Sequence, residues 1–426
     1  MKSLRIAITI VLLLGSALLL AQRTNLRLGT VLPANSVWDR SLKQMASDWR
    51  AGTDDRVRLR ILSGGSTGDE ATILRRMKLG RPQVAALTLL GQVHDAFNVF
   101  GIPFFYESDA EALHVLEQLT PRLKTALANE GLILLNWGHG GWTHIFSADP
   151  VVTLADLKRT KIFTSSGDDG MVRWYKENGF QPVPLAVTDI LMGLNTGLID
   201  SYPSPPYGAL VFQWYRRTPH MLGIPLSPVF GATVISERAW REIGEADQAT
   251  LLESAQATQE HLFSVVPEQD REAVAEMEKR GLIVASVDTA ASVEFRAAAE
   301  EMTTSWRGGM VPTEIYDAAL RARNAYRVDT VALSATSDAI DNTADTVTLV
   351  VRVEDAGGKP LEGIDVRVEY SVEGRLSGGH HRVTTAASGE AMFDLVTINE
   401  NEKEESRVTV TAGTRRRSDT ITIRVG

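Results

Sequence analysis

The chain has 426 residues, of which 44% are hydrophobic and 23% charged, and its formal net charge is -9. This length allows two or three domains with packed cores, and the composition is typical of a soluble globular protein. The one basic run visible in the acidic sequence, Arg415-Arg416-Arg417, is interpreted as an exposed hairpin tip, so we expect no nucleic acid as a partner. The lack of cysteine excludes both disulfides and a lipid-modified N-terminal cysteine.

The N-terminus carries the one long apolar stretch of the sequence. Lys2 and Arg5 precede the uncharged segment Ile6–Ala21, which ends in small residues. A positive end followed by an apolar core is typical of a secretory signal peptide, cut after Ala17 or after Ala21. An uncleaved membrane anchor is the alternative, because a tilted apolar run of this length can enter a bilayer. We therefore expect residues 1–21 to be a signal peptide or an anchor, and the protein to be exported to the periplasm.

Strands and helices alternate along the first part of the chain. Hydrophobic periodicity predicts strands at 26–32, 56–62 and 84–89 and helices at 38–50 and 70–79. Further along it predicts a strand at 133–137, helices at 168–178, 187–197 and 313–326, and a helical stretch at 236–280 interrupted at Pro267. Alternation of this kind favours an α/β domain with a mostly parallel sheet.

The composition changes sharply near Val328, where helical periodicity gives way to period-two alternation. Strands are predicted at 346–353, 365–371, 391–398, 407–412 and 419–425, separated by Gly-rich turns. Short strands at this spacing predict an all-β sandwich. We place a domain boundary near Arg327, between a domain of residues 22–327 and a β-sandwich of residues 328–426.

Several short motifs in residues 25–326 occur in the order found in one family. They are Leu28-Gly29-Thr30, Gly64-Gly65 through Gly68-Asp69-Glu70, the segment 100–105 with Pro103, Trp137-Gly138, Asp156-Leu157-Lys158 and Leu194-Asn195-Thr196-Gly197-Leu198-Ile199-Asp200. Together they resemble the solute-binding proteins of TRAP transporters, the DctP-like family. The resemblance implies two α/β lobes joined by crossing strands and a long helix, with a ligand in the cleft between them. It also implies a membrane permease as partner. We expect no enzymatic activity, because no catalytic arrangement of residues stands out in the sequence.

The departures from the family pattern concern the ligand. Phe163 stands where the family carries an arginine that clamps a carboxylate, and Thr143 stands at another polar contact position. Tyr202 to Pro205 replace a segment that supplies an amide. A buried carboxylate needs a paired cation, whereas aromatic rings favour apolar ligands. The sequence therefore predicts a neutral or hydrophobic ligand, with no metal or cofactor, contacted by Trp38, Thr88, Trp142, Thr143, Phe163, Tyr202, Ser204 and Phe230.

Each of these assignments has an alternative. Trp38, Trp142 and Phe163 are also explained as core residues, Tyr202 as a turn residue, and Arg173 is a cation that could reach the cleft from another direction.

The C-terminal domain resembles bacterial immunoglobulin-like modules of the invasin/intimin type. The residues that carry this resemblance include Lys359 to Val366 and Thr384 to Ala391.

Two other functions compete with the transport receptor. One is a carrier or sensor that hands hydrophobic cargo to a soluble helical-repeat partner. The other is a surface protein that acts through the β-sandwich.

Overall fold

The computed structural model describes residues 23–336, 339–340, 346–371, 376–377, 382–397 and 404–425. The predicted signal peptide or anchor, residues 1–21, lies outside the described residues. The chain forms two compact units. The two-lobe unit comprises the residues up to Phe105 and Arg122–Val311, and the C-terminal unit comprises Tyr106–Pro121 and the residues from Pro312 onward. The contact division thus falls at Val311, whereas the change in composition falls near Arg327.

The first lobe is built on a five-stranded sheet. Its strands are β1 (Thr24–Gly29), β2 (Val57–Leu62), β3 (Val84–Leu87), β4 (Leu132–Trp142) and β10 (Pro228–Ser236). They lie in the order β2-β1-β3-β10-β4, and the β2-β1-β3 part is parallel while β10 runs antiparallel to both neighbours. One face of this sheet packs on α1 (Val37–Gly52) and α9 (Glu245–Glu278), which bury an apolar core including Leu28, Leu42 and Leu262.

The second lobe is built on a six-stranded sheet. Its strands are β5 (His144–Ser147), β6 (Lys161–Ser165), β7 (Gln181–Leu185), β8 (Ser201–Ser204), β9 (His220–Leu222) and β11 (Ile283–Ala285). They lie in the order β11-β9-β5-β8-β6-β7, with β6 parallel to both of its neighbours. Two apolar clusters form its core, one around Phe146 and Ile190 and the other around Ile145 and Phe180.

The remaining helices connect and cover these sheets. They are α2 (Glu70–Lys78), α3 (Asp109–Asn129), α4 (Leu154–Arg159), α5 (Asp169–Glu177), α6 (Ile190–Thr196), α7 (Pro206–Val211), α8 (Glu237–Arg241), α10 (Thr289–Thr303) and α11 (Thr313–Arg327). The predicted interruption at Pro267 is wrong, because α9 continues through it. Proline removes one backbone donor, but Val266 and Ala273 on either side are buried and hold the helix in place. In the part of the chain that the structure describes, no helix is both long and apolar enough to cross a membrane.

The C-terminal unit contains the predicted β-sandwich. Its strands are β12 (Thr330–Ala335), β13 (Ala339–Ile340), β14 (Thr346–Glu354), β15 (Asp365–Ser371), β16 (Leu376–Ser377), β17 (Arg382–Thr384), β18 (Glu390–Thr397), β19 (Glu404–Ala412) and β20 (Arg417–Val425). One sheet has the order β12-β14-β18-β16 and the other β13-β20-β19-β15-β17. Alternating valines such as Val351 and Val366 point inward from the two sheets into one core. The predicted fold class, two α/β lobes followed by an all-β sandwich, is confirmed.

Candidate functional site

Two chain segments cross between the lobes side by side. Thr143 separates β4 of the first lobe from β5 of the second, and residues 223–227 join β9 to β10. The Thr143 N–H donates to the Ser227 carbonyl at 2.8 Å, and the Leu226 N–H donates to the Thr143 carbonyl at 2.8 Å. These paired backbone hydrogen bonds join the two crossing segments, which we call the hinge because hinges between lobes are short segments of this kind.

Asp270 on the long helix α9 is fixed to this hinge. Its Oδ2 accepts the Trp142 N–H at 3.1 Å, and its Oδ1 accepts the Tyr207 N–H at 2.9 Å. Gly141 has φ +94°, and a Cβ on it would come 2.0 Å from Asp270 Oδ2. Only glycine fits this backbone conformation and this close approach. One carboxylate therefore ties α9, the crossing strand and α7 together.

Polar contacts bridge the lobes in front of the hinge. Gln92 Nε2, which follows β3 of the first lobe, donates to Ser165 Oγ at the end of β6 in the second lobe, at 2.8 Å. The Val37 N–H at the start of α1 donates to the Tyr207 hydroxyl on α7 at 2.9 Å. The lobes also approach at Gly65, where a Cβ would lie 2.9 Å from Thr188 Cγ2. The described surfaces that face each other here carry amide and hydroxyl groups.

Two buried polar atoms beside these contacts have no hydrogen-bond partner. They are Gln92 Oε1 and Thr67 Oγ1. Thr67 lies in the loop between β2 and α2 that also contains Gly65, and its Oγ1 is 2.9 Å from where a Cβ on Gly29 would stand. Because nearly all buried polar atoms in proteins are hydrogen-bonded, an unpartnered one needs an explanation. A hydrogen bond from a bound ligand would supply that explanation for each atom.

Thr88 is held beside this region by a buried carboxylate. Glu70 accepts the Thr88 N–H at 2.9 Å, the Thr88 hydroxyl at 2.8 Å and the Leu89 N–H at 2.7 Å. Burial raises the pKa of Glu70, against the opposing effect of these hydrogen bonds. The arrangement fixes the turn that leads from β3 to Gln92.

The predicted aromatic contacts of the second lobe lie in its core. Tyr202 is fully buried, stacks on Phe146 with ring centroids 5.4 Å apart, and shares a hydrogen bond of 3.0 Å with Thr218. Phe163 belongs to the same apolar cluster. Its ring packs on the sheet face that α6 covers, because Ile190 and Leu194 are part of that cluster. Packing accounts for both rings.

Trp38 and Phe230 have a similar place in the first lobe. Trp38 is 3% exposed, and its Nε1 donates to the His139 carbonyl at 2.9 Å. Phe230 meets Phe100 edge to face, with ring centroids 5.0 Å apart. The core assignment that the sequence left open for Trp38 therefore describes its packing.

The other predicted contacts lie at or near the hinge. Trp142 and Thr143 are partly exposed on the crossing strand, and Ser204 is buried with its hydroxyl donating to the Pro205 carbonyl at 2.9 Å. Arg173, the alternative cation, is exposed on α5. Sequence reasoning missed Gln92, Ser165 and Asp270, because no local motif marks residues that meet only after the lobes fold. Among the described residues no cluster of acidic or histidine side chains could hold a metal ion.

Comparison with known proteins gives a consistent result. A family model described as bacterial extracellular solute-binding protein, family 7, matches residues 28–307. The 2,3-diketo-L-gulonate-binding periplasmic protein YiaO of Escherichia coli is 24% identical over 241 residues, 54% of this chain and 72% of that protein. A TRAP periplasmic solute-binding protein of Xanthobacter autotrophicus with bound β-D-galacturonate is 21% identical with a TM-score of 0.65, covering 70% of this chain and 99% of that one. A Bordetella pertussis solute receptor binding pyroglutamic acid is 18% identical, with a TM-score of 0.65 and the same coverage.

These comparisons also bear on two predictions. The ligands named for the three relatives are polar acids, which contradicts the predicted hydrophobic ligand. The burial of Phe163 and Tyr202 explains why that prediction is wrong. Their rings lie inside the core and provide no apolar surface for a ligand in the cleft. The family match ends at residue 307, so the invasin/intimin type of the sandwich stays a prediction.

Proposed function

Since the chain belongs to the bacterial extracellular solute-binding proteins of family 7, we propose that it is the periplasmic receptor of a TRAP-type transporter for a neutral, polar solute. Family membership makes it a solute-binding protein and not an enzyme. Its partners in this role are a small-molecule ligand and a membrane permease. The lobes close over the ligand about the hinge at Thr143, and the closed form is what the permease recognises.

The observation that supports a neutral solute is the unpartnered Gln92 Oε1. The Gln92 Nε2 donates to Ser165 Oγ, so Oε1 remains as a buried acceptor beside this cross-lobe contact. A carboxylate has no hydrogen to give to that oxygen and would face it with a like partial charge. A neutral solute with N–H or O–H groups satisfies it, and Thr67 Oγ1 as well. The sequence also favours a neutral ligand, because Thr143 and Phe163 stand at the two positions where the family resemblance places polar or cationic contacts, and neither is a cation.

A screen of matched ligand pairs tests this proposal. Each pair differs in one charge, for example galactose against galacturonate, or pyroglutamate against its primary amide, and binding is measured by thermal shift and calorimetry. We expect shifts from the neutral members, and we expect Gln92→Leu to abolish them. Native mass spectrometry of protein purified from its own source would identify the natural solute directly. Micromolar binding of the acids with no response to the neutral members would overturn the ligand class and leave the receptor assignment intact.

A further inference from the structure

An exposed arginine cluster covers the edge of the first lobe. Side chains alternate along a strand, so burial of Leu26 and Leu28 in the core turns Arg27 to the opposite face. The parallel register pairs Arg27 with Arg60 and Asn25 with Arg58, and β2 is the edge strand of the sheet. We call this region the arginine surface; it consists of Arg23, Arg27, Arg50, Arg58 and Arg60.

The arginine surface is only partly neutralised from within. Asp55 is the carboxylate that its members share: it pairs with Arg23 at 3.2 Å, with Arg50 at 3.0 Å and with Arg58. These cations hold the pKa of Asp55 at about 2, so it is fully charged at neutral pH. Arg27 and Arg60 are exposed, and neither forms an ion pair with any described residue. The surface therefore keeps a clear positive excess in a chain whose formal net charge is -9.

The register places two unpaired guanidinium groups next to each other. Like charges at neighbouring positions of a sheet destabilise it, and nothing in the core requires arginine at either position. An open groove of about 390 Å³ is lined by Arg27, Arg50, Arg58 and Arg60 together with Asn25, Leu26, Ala46 and Leu59. An anionic partner would remove the repulsion and fill the groove with its own oxygen atoms.

The sequence just before the arginine surface narrows the choice of partner. The apolar segment Ile6–Ala21 is followed by Gln22 and Arg23, and β1 begins at Thr24. Three residues span about 10 Å at full extension, so in the uncleaved form, which the sequence leaves open, a bilayer that holds this segment would lie close to the arginine surface. A weak apolar anchor combined with a basic patch is a recognised way to hold a protein on a membrane.

We propose that the arginine surface binds the anionic headgroups of a phospholipid bilayer and holds the first lobe against the membrane. The guanidinium groups pair with phosphate oxygens in bidentate geometry. Such contact keeps the receptor near membrane proteins without any contribution from the ligand cleft. The proposal is independent of which solute is bound.

The test uses the full chain and a single fluorescent label. The chain has no cysteine, so Asn25→Cys gives one labelling site on the arginine surface. Labelled protein is mixed with vesicles of phosphatidylcholine alone, or of phosphatidylcholine with phosphatidylglycerol, both carrying a headgroup-attached quencher. We expect stronger quenching on the anionic vesicles than on the neutral ones, where the apolar segment alone would act. This excess should weaken at an ionic strength of about 0.5 M, where the Debye length falls well below its physiological value.

Paired substitutions decide the outcome. Arg27→Gln with Arg60→Gln should reduce quenching on anionic vesicles by about tenfold, because each arginine near the surface adds to the attraction. The matched control, Arg159→Gln with Arg271→Gln, removes two exposed arginines elsewhere and should leave quenching unchanged. Circular dichroism verifies that all variants are folded. Equal quenching on neutral vesicles, or unchanged quenching in the Arg27/Arg60 variant, would refute the proposal. Binding of the arginine surface to an acidic protein, with no binding to vesicles, would also refute the proposal.

Discussion

The C-terminal unit and the two-lobe unit differ in whether their buried polar atoms have hydrogen-bond partners. In the C-terminal unit, Glu111 is 2% exposed and accepts from Arg327, and Asn324 donates to the Glu362 carbonyl at 3.0 Å. In the two-lobe unit, buried atoms of Thr67, Gln92, Asn136 and Thr233, among others, have no partner. Of the buried polar side-chain atoms that the structure describes as unpartnered, every one belongs to the two-lobe unit.

The difference separates polar groups that hold a structure from those that can meet a ligand. A buried group with its partner in place contributes to stability and specificity of packing, while an unpaired one is destabilising until something bonds to it. Thr67 and Gln92 lie beside the cross-lobe contacts, where a solute could bond to them. Asn136 and Thr233 are partners in the register of β4 and β10, inside the sheet of the first lobe.

Removing one partner of the Glu111–Arg327 pair should have the largest effect. Glu111→Ala leaves the Arg327 guanidinium, 17% exposed, without its buried carboxylate. Breaking a buried ion pair in this way typically destabilises by about 3–5 kcal/mol. Urea unfolding should show the loss in the transition of the C-terminal unit. Glu268→Ala, which breaks an exposed pair with Arg271, is the control and should change stability by less than about 1 kcal/mol. Similar losses in both variants would contradict the distinction.

The hinge glycine gives the next largest effect. Gly141→Ala forces an alanine into φ +94° and drives its Cβ into Asp270, which disturbs the carboxylate that fixes α9 to the crossing strand. We expect a loss of about 1–3 kcal/mol from backbone strain, with weaker ligand binding as the hinge shifts. Gly281→Ala is the control, because Gly281 has φ +99° but no atom within 4 Å of its Cβ position. Calorimetry compares the two, and an equal loss would mean that φ alone accounts for the effect.

Thr67→Val should separate stability from binding. The change keeps the shape of the side chain and removes a buried hydroxyl that has no partner, so stability should stay the same or rise by up to about 1 kcal/mol. Affinity for the best binder of the matched-pair screen should fall about tenfold, which corresponds to about 1.4 kcal/mol. In Thr258→Val the lost hydroxyl donates to the Ser254 carbonyl at 3.0 Å, and this control should lose stability without losing affinity. Unchanged affinity in Thr67→Val would remove Thr67 from the site.

The sequence predicted the regular elements better than the contacts between them. Periodicity located α1 and β15 to within a residue or two, because each depends on its own apolar pattern. Helix α3 was not predicted, since its 21 residues contain Pro121 and belong partly to each unit. Phe163 and Tyr202 were assigned to the cleft from their positions in the motif, but which face of β6 or β8 is buried depends on helices far away in sequence. Gln92 and Ser165 are 73 residues apart, so only the folded lobes bring them together.

The smallest predicted effect concerns Asp55, a partly exposed carboxylate that pairs with three arginines. The Arg58 hydrogen bond is the largest reason why the pKa of Asp55 lies at about 2, with Arg23 and Arg50 adding to it. A folded-state pKa below the ordinary value near 3.9 means that this ion pair stabilises the fold above about pH 4, and that the contribution disappears as pH falls through 2. Arg58→Gln should therefore raise the pKa of Asp55 toward its ordinary value, which carboxyl carbon shifts in an NMR titration would measure. Arg56→Gln is the matched control, because Arg56 bonds to Asp247 and Asp54 and should leave the Asp55 pKa in place. A pKa that stays near 2 in Arg58→Gln would mean that the pairing of Asp55, unlike that of Glu111, is redundant among several arginines.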